Sequence, residues 1–179
     1  MMATKDNFIF KALQVIAWFI FIGLSIEAGG LIINFGFSLY KPEFVSNLYQ
    51  KLNLLEMYGR SKWAFFGMYS FILSIAILKT FMFYVVVSLI SKFNLSKPFE
   101  GFVSKQVTQI SYYTFAIGML SHIAREAAKN LEHHGYEVEK LYPFWADSQA
   151  FMLMAAVIYI IATIIRRGVE IQNENDLTV

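Results

Sequence analysis

Four long apolar stretches within 179 residues constrain this chain more than any other feature. They run from Val15 to Leu39, Trp63 to Ser91, Val107 to Ile123 and Phe151 to Ile165, each near the ~20 residues that a helix needs to cross ~30 Å of hydrocarbon. Pro42, Pro98 and Pro143 all fall between the stretches, where a fixed φ and a missing amide hydrogen interrupt no helix. The expected fold is all-α, an integral membrane antiparallel four-helix bundle, with a single domain over residues 1–179 and residues 168–179 as a tail.

Composition narrows the function classes. Hydrophobic residues make up 57% and charged residues 16%, against about a quarter charged in a soluble domain, so no separate soluble domain is expected. A net charge of +2 is too small to imply direct nucleic-acid binding. The absence of cysteine excludes disulfides, thiolate catalysis and thiol-ligated metals. Lys5 and Lys11 precede the first apolar run as in a signal peptide, but the run is too long and lacks a small-residue cleavage site, so it reads as an uncleaved first span.

The connections differ in character. In the first, Tyr40 to Lys62, the spacing of Phe44, Leu48, Leu52 and Leu55 fits either a short amphipathic helix in the membrane interface or a loop packed on the bundle end. The second, Lys92 to Lys105, is short and polar. The third continues the preceding helix through Arg125 to Leu131, breaks near His134-Gly135 and restarts around Pro143. Lysines and arginines divide evenly between the two sides, but Arg166-Arg167 abut the last span, which favours both termini in the cytosol. Trp63 and Trp145 are then expected together in the outer aromatic belt.

Small and polar residues line single helix faces: Gly23, Glu27, Gly30 and Asn34 in the first span, Ser111, Thr114, Gly118, Ser121 and Arg125 in the third, and Ser148, Met152, Ala155, Tyr159 and Ala162 in the fourth. Such faces either let helices approach closely or line a polar cavity. Glu27 and Lys79 are the charges deep inside spans, where each costs on the order of 3 kcal/mol unless paired or wet. Their similar depth in neighbouring antiparallel helices predicts an ion pair, acting either as a register device or as a proton- or ion-sensitive site. Asn34, His122 and Arg125 complete the candidate intramembrane polar set.

His122 and His133-His134, with Glu126, Glu132, Glu137 and Glu139 nearby, match no zinc spacing. Nucleophile elbows, phosphate-binding glycine loops and HExxH are missing. No metal, cofactor or enzymatic activity is expected.

Ser96-Lys97-Pro98-Phe99 before the third span, together with the tail from Arg166-Arg167-Gly168-Val169-Glu170 to Asp176-Leu177-Thr178-Val179, resembles the YoaS-like family of small bacterial four-span membrane proteins, a domain of unknown function. The resemblance implies a multi-pass protein of the bacterial cytoplasmic (inner) membrane with both termini cytosolic, from a family whose members are often encoded beside a small helix-turn-helix regulator of the Cro/C1 type. The tail mixes Glu170, Glu174 and Asp176 with apolar Val169, Ile171, Leu177 and Val179, so it is expected to dock, either on the Lys92 to Lys105 loop or on a cytosolic partner. Lys97, Pro98, Phe99, Arg166, Arg167, Glu170, Glu174, Asp176 and Leu177 are the candidate partner-binding residues. The leading expectation is a non-enzymatic sensor or regulatory partner that signals through this loop and tail. The alternative is a small transporter or channel using Glu27 and Lys79, formed as a homo-oligomer because four helices enclose little space.

Overall fold

The computed structural model describes residues 2–40, 45, 48–49, 52–94 and 99–176, with side chains from Phe8 to Asn175. These residues are all-helical: α1 (Met2–Tyr40), α2 (Leu55–Arg60), α3 (Lys62–Lys92), α4 (Gly101–His133), a 3-10 helix (Glu139–Phe144) and α5 (Ser148–Asp176). The starts of the long helices carry local signals. The Ser61 hydroxyl accepts the Ala64 amide at 3.3 Å, and Asp147 Oδ1 accepts the amides of Gln149 and Ala150 at 3.1 and 3.2 Å, satisfying donors that a first turn leaves orphaned. Gly135 turns the chain after α4 with φ 78°, a region that a residue without Cβ enters at little cost.

Each long helix runs antiparallel to its neighbour. Phe10 stacks on Phe93 and Gln14 bonds Ser91 at one end of α1 and α3, while Phe35 stacks on Tyr69 at the other. The helices follow one another as a row, α1 along α3, α3 along α4 and α4 along α5. Among the described residues no comparable α1–α5 interface closes the row, so the packed antiparallel helices form an open arrangement without a central space ringed by all four.

Three segments are long and apolar enough to cross a membrane, Phe8–Tyr40, Lys62–Lys92 and Glu139–Asn175. The count of four from the sequence is corrected to three on this measure, because α4 interleaves its apolar residues with Ser104, Lys105, Gln106, Thr108, Gln109 and Ser111.

At the end of the row away from the termini, the first connection folds back onto the helices. Val45, Leu48, Leu52, Leu54 and Met57 join Phe65, Met68, Tyr69 and Ile72 of α3 and Leu141, Phe144 and Trp145 of the third connection in one buried cluster. Of the two readings of this segment, packing against the bundle end is the one seen at the described positions; Phe44 lies outside them. The shared aromatic belt is also corrected: Trp63 is 89% exposed, whereas Trp145 is 6% exposed and belongs to the cluster.

Candidate functional site

The α1–α3 seam is set by residues that alternate in steps of four and three along α1: Phe10, Gln14, Ala17, Phe21, Leu24, Ala28, Leu31, Phe35 and Ser38. That spacing keeps one stripe facing a neighbour over the length of a helix. Two hydroxyls bond across it at 3.1 Å, Tyr69 Oη to the Leu31 carbonyl and Thr80 Oγ1 to the Leu24 carbonyl, the latter shared with the Ala76 carbonyl of its own helix at 3.0 Å. In lipid a hydroxyl has no water to bond, so these acceptors fix depth as well as packing.

The register of this seam places Glu27 and Lys79 at the same level to within about one turn, ~5 Å, and each about 20 Å from the nearer end of its helix. They also share a side of the α1–α3 pair. Glu27 is one turn from Gly30, where a Cβ would lie 2.7 Å from the Tyr49 ring. The opposite groove of the pair is lined by Ser25, Gly29 and Ile32 of α1 and by Ile77 and Phe81 of α3, positions that helical spacing puts on the far side from Glu27 and from Lys79. Both charges are half-buried. The expected ion pair is not formed: neither side chain has a hydrogen-bond or salt-bridge partner among the described residues. Helical spacing puts Glu27 and Lys79 on the flanks of the seam and not on the stripes that meet across it, where Leu24 and Leu31 face Thr80 and Tyr69. Asn34, two turns beyond Glu27, continues the same face of α1 and is half-buried.

The polar lines of α4 and α5 meet each other. Ser104 and Ser111 hydroxyls donate to the carbonyls of Ala162 and Ala155 at 3.4 and 2.9 Å, and the Ser121 hydroxyl accepts the Ala146 amide at 3.2 Å. At the crossing, a Cβ on Gly118 would lie 3.1 Å from the Met152 backbone nitrogen. Ser111, Ser121, Gly118 and Ala155 are buried. This is a packing seam with its hydroxyls satisfied by backbone, the close approach that small residues permit in lipid. Arg125 belongs to its outer end, donating to the Ala146 carbonyl at 3.4 Å, and His122 is exposed.

At the end that carries the termini, Phe99 packs on α5. A Cβ on Gly168 would lie 2.6 Å from Phe99 Cδ1, so glycine admits the ring against the helix backbone. Gly168 does not stop the helix; α5 continues to Asp176. Arg166, Arg167 and Glu170 are exposed, and Arg167 pairs with Glu170 at 2.8 Å on their own helix. Glu174 is exposed near the end of α5. Lys97, Pro98 and Leu177, and the side chain of Asp176, lie outside the described residues.

Arg60 escaped the sequence reading, because its partners are 74 and 75 residues away. Its guanidinium donates to the carbonyls of Gly135 and His134, lies 4.1 Å from the centroid of the Tyr136 ring and pairs with Glu56 at 3.6 Å. It thereby clasps the third connection to α2. Among the acids of this end, the hydrogen bond and charge of Lys129 hold the Glu126 carboxyl below its ordinary range. No group of three or more metal-capable side chains exists among the described residues.

No curated protein and no solved structure matches the chain. Residues 53–179, from the segment before α2 to the end of the chain, match a family described as a protein of unknown function, and the chain belongs to that family, DUF2975.

Proposed function

We propose that the chain is a non-catalytic membrane sensor or regulatory partner whose output surface lies at the end carrying the termini. The observation that carries this reading is the seating of Phe99 on Gly168. It ties the α3–α4 connection to an α5 that runs on past Gly168 with Glu170, Ile171 and Gln172 exposed. A tilt of α5 against α4 displaces the loop and the helix extension together, which converts a change within the bilayer into a change of a soluble surface. Within this proposal the chain is YoaS-like, resides in a bacterial cytoplasmic membrane with both termini cytosolic, and presents the extension to a helix-turn-helix regulator.

The same proposal has α4 crossing with the other three long helices. Its polar Ser104, Ser111, Thr114 and Ser121 are buried between α3 and α5, while Tyr112, Phe115, Met119 and Ile123 are exposed, which supports a crossing centred on residues 111–123 with the exposed Lys105 toward the end that carries the termini. Transport is the second reading. It is disfavoured because the polar line of α4 and α5 is a closed packing seam and the row of helices encloses no common space.

The test is co-purification of a helix-turn-helix protein from native membranes. It is expected with the intact chain and lost when the chain ends at Arg167; equal recovery with both chains removes the output surface from consideration. Ion or solute flux in liposomes that disappears with Glu27→Gln would transfer support to transport.

A further inference from the structure

Among the described residues the two intramembrane charges have no partner, and the face they share has the form of an interface. Ile16, Ile20, Gly23 and Glu27 follow one another on α1 at helical spacing, with Ile16 54% and Ile20 40% exposed. A Cβ on Gly23 would meet nothing within 4 Å, so this stripe is open and offers a small residue one turn from the charge. Lys79 stands beside it on α3, within about one turn of its depth and on the same side.

An acid and an amine within about one turn of the same depth, side by side on one surface, are self-complementary under a two-fold axis along the membrane normal. Such an axis preserves depth and exchanges left for right, so the acid of each copy arrives opposite the amine of the other. We propose that this face binds a second copy of the chain, with Glu27 of each copy paired with Lys79 of the other. Two ion pairs then form in hydrocarbon where the described residues of a single copy offer neither charge a partner, and the open stripe at Gly23 admits close approach of the helices. The occupant is selected by charge: a helix lacking both signs at this depth leaves one group uncompensated.

The test uses the full chain in lipid vesicles. The natural sequence has no cysteine, so Gln172→Cys supplies a single labelling site for energy transfer between copies. Glu27→Lys alone and Lys79→Glu alone each place like charges opposite one another and are expected to lower association about tenfold or more, the factor that corresponds to ~1.4 kcal/mol. Mixing the two variants restores both opposite-charge pairs, so energy transfer between differently labelled variants is expected to return to the level of the unaltered chain. An intrachain pair predicts no such recovery, because each variant chain keeps its own like charges. Unchanged transfer in both single variants, or no recovery on mixing, overturns the proposal. Should either exchanged chain fail to fold, Glu27→Gln and Lys79→Gln take their place: each must weaken association about tenfold, and association unaffected by both overturns it. The partner co-purification described above does not depend on these residues, so the two readings fail independently.

Discussion

The Phe99 ring occupies the space that any side chain at residue 168 would need, since a Cβ there would lie 2.6 Å from its Cδ1. Phe99 is a flexible side chain at a loop end and is 46% exposed, so in Gly168→Ala the ring moves and the helix stays. Alanine is the better helix former by about 1 kcal/mol. Gly168→Ala is therefore expected to leave thermal unfolding in detergent unchanged or slightly raised, while cleavage after Glu100 by a glutamate-specific endoprotease quickens several-fold. Equal cleavage rates would show that the contact does not restrain the loop.

Gly118 predicts the opposite balance. Its close neighbours include the Met152 backbone at 3.1 Å, and a helix backbone cannot swing aside as a ring can. Gly118→Leu is expected to lower the unfolding free energy by about 1–3 kcal/mol, the range for overpacking, with Gly118→Ala at or below the lower end. Denaturant titration of purified chain in mixed micelles measures both.

The hydroxyl of Tyr69 bonds the Leu31 carbonyl from a fully buried position. Tyr69→Phe keeps the ring stacked on Phe35 and deletes only the bond, and interhelical bonds in lipid contribute about 0.6–2 kcal/mol. The same titration is expected to show a loss in that range, and a neutral result would mean the seam is held by its apolar stripe alone.

Arg60 holds two carbonyls of the third connection with a planar fork, geometry that an ammonium cannot reproduce. Arg60→Lys and Arg60→Ala are both expected to raise amide hydrogen exchange at residues 134–138 while leaving α3 and α5 protected. The local destabilisation should be about 1–3 kcal/mol for bonds to a charged donor. Exchange rates indistinguishable from those of the unaltered chain would sink the clasp.

The charges at Glu126 and Lys129 provide a pH test of small amplitude. Lys129 lowers the Glu126 pKa, so the pair contributes stability at pH above the ordinary carboxylate range, and that contribution disappears as pH falls through the lowered value. Glu126→Gln is expected to be near neutral at pH 7, because both side chains are about half exposed, and to flatten only the acid limb of the stability curve.

The sequence by itself determined the helices, because apolar length, three prolines placed between the runs, and caps such as Ser61 and Asp147 are local signals that act within a few residues. It also determined which faces of α4 and α5 are small and polar, since helical spacing alone puts Ser111, Gly118 and Ser121 on one stripe. Tertiary structure decided what those faces do. It closed the α4–α5 stripe into a packing seam, laid the helices in an open row, and turned Glu27 and Lys79 toward one side without pairing them. These outcomes depend on the azimuth and register of one helix against another, which Thr80 to Leu24 and Tyr69 to Leu31 set across 56 and 38 residues of chain. The roles of Arg60 and of Phe99 on Gly168 were hidden for the same reason: each is a contact between distant segments, and only folding brings those segments within a few ångströms.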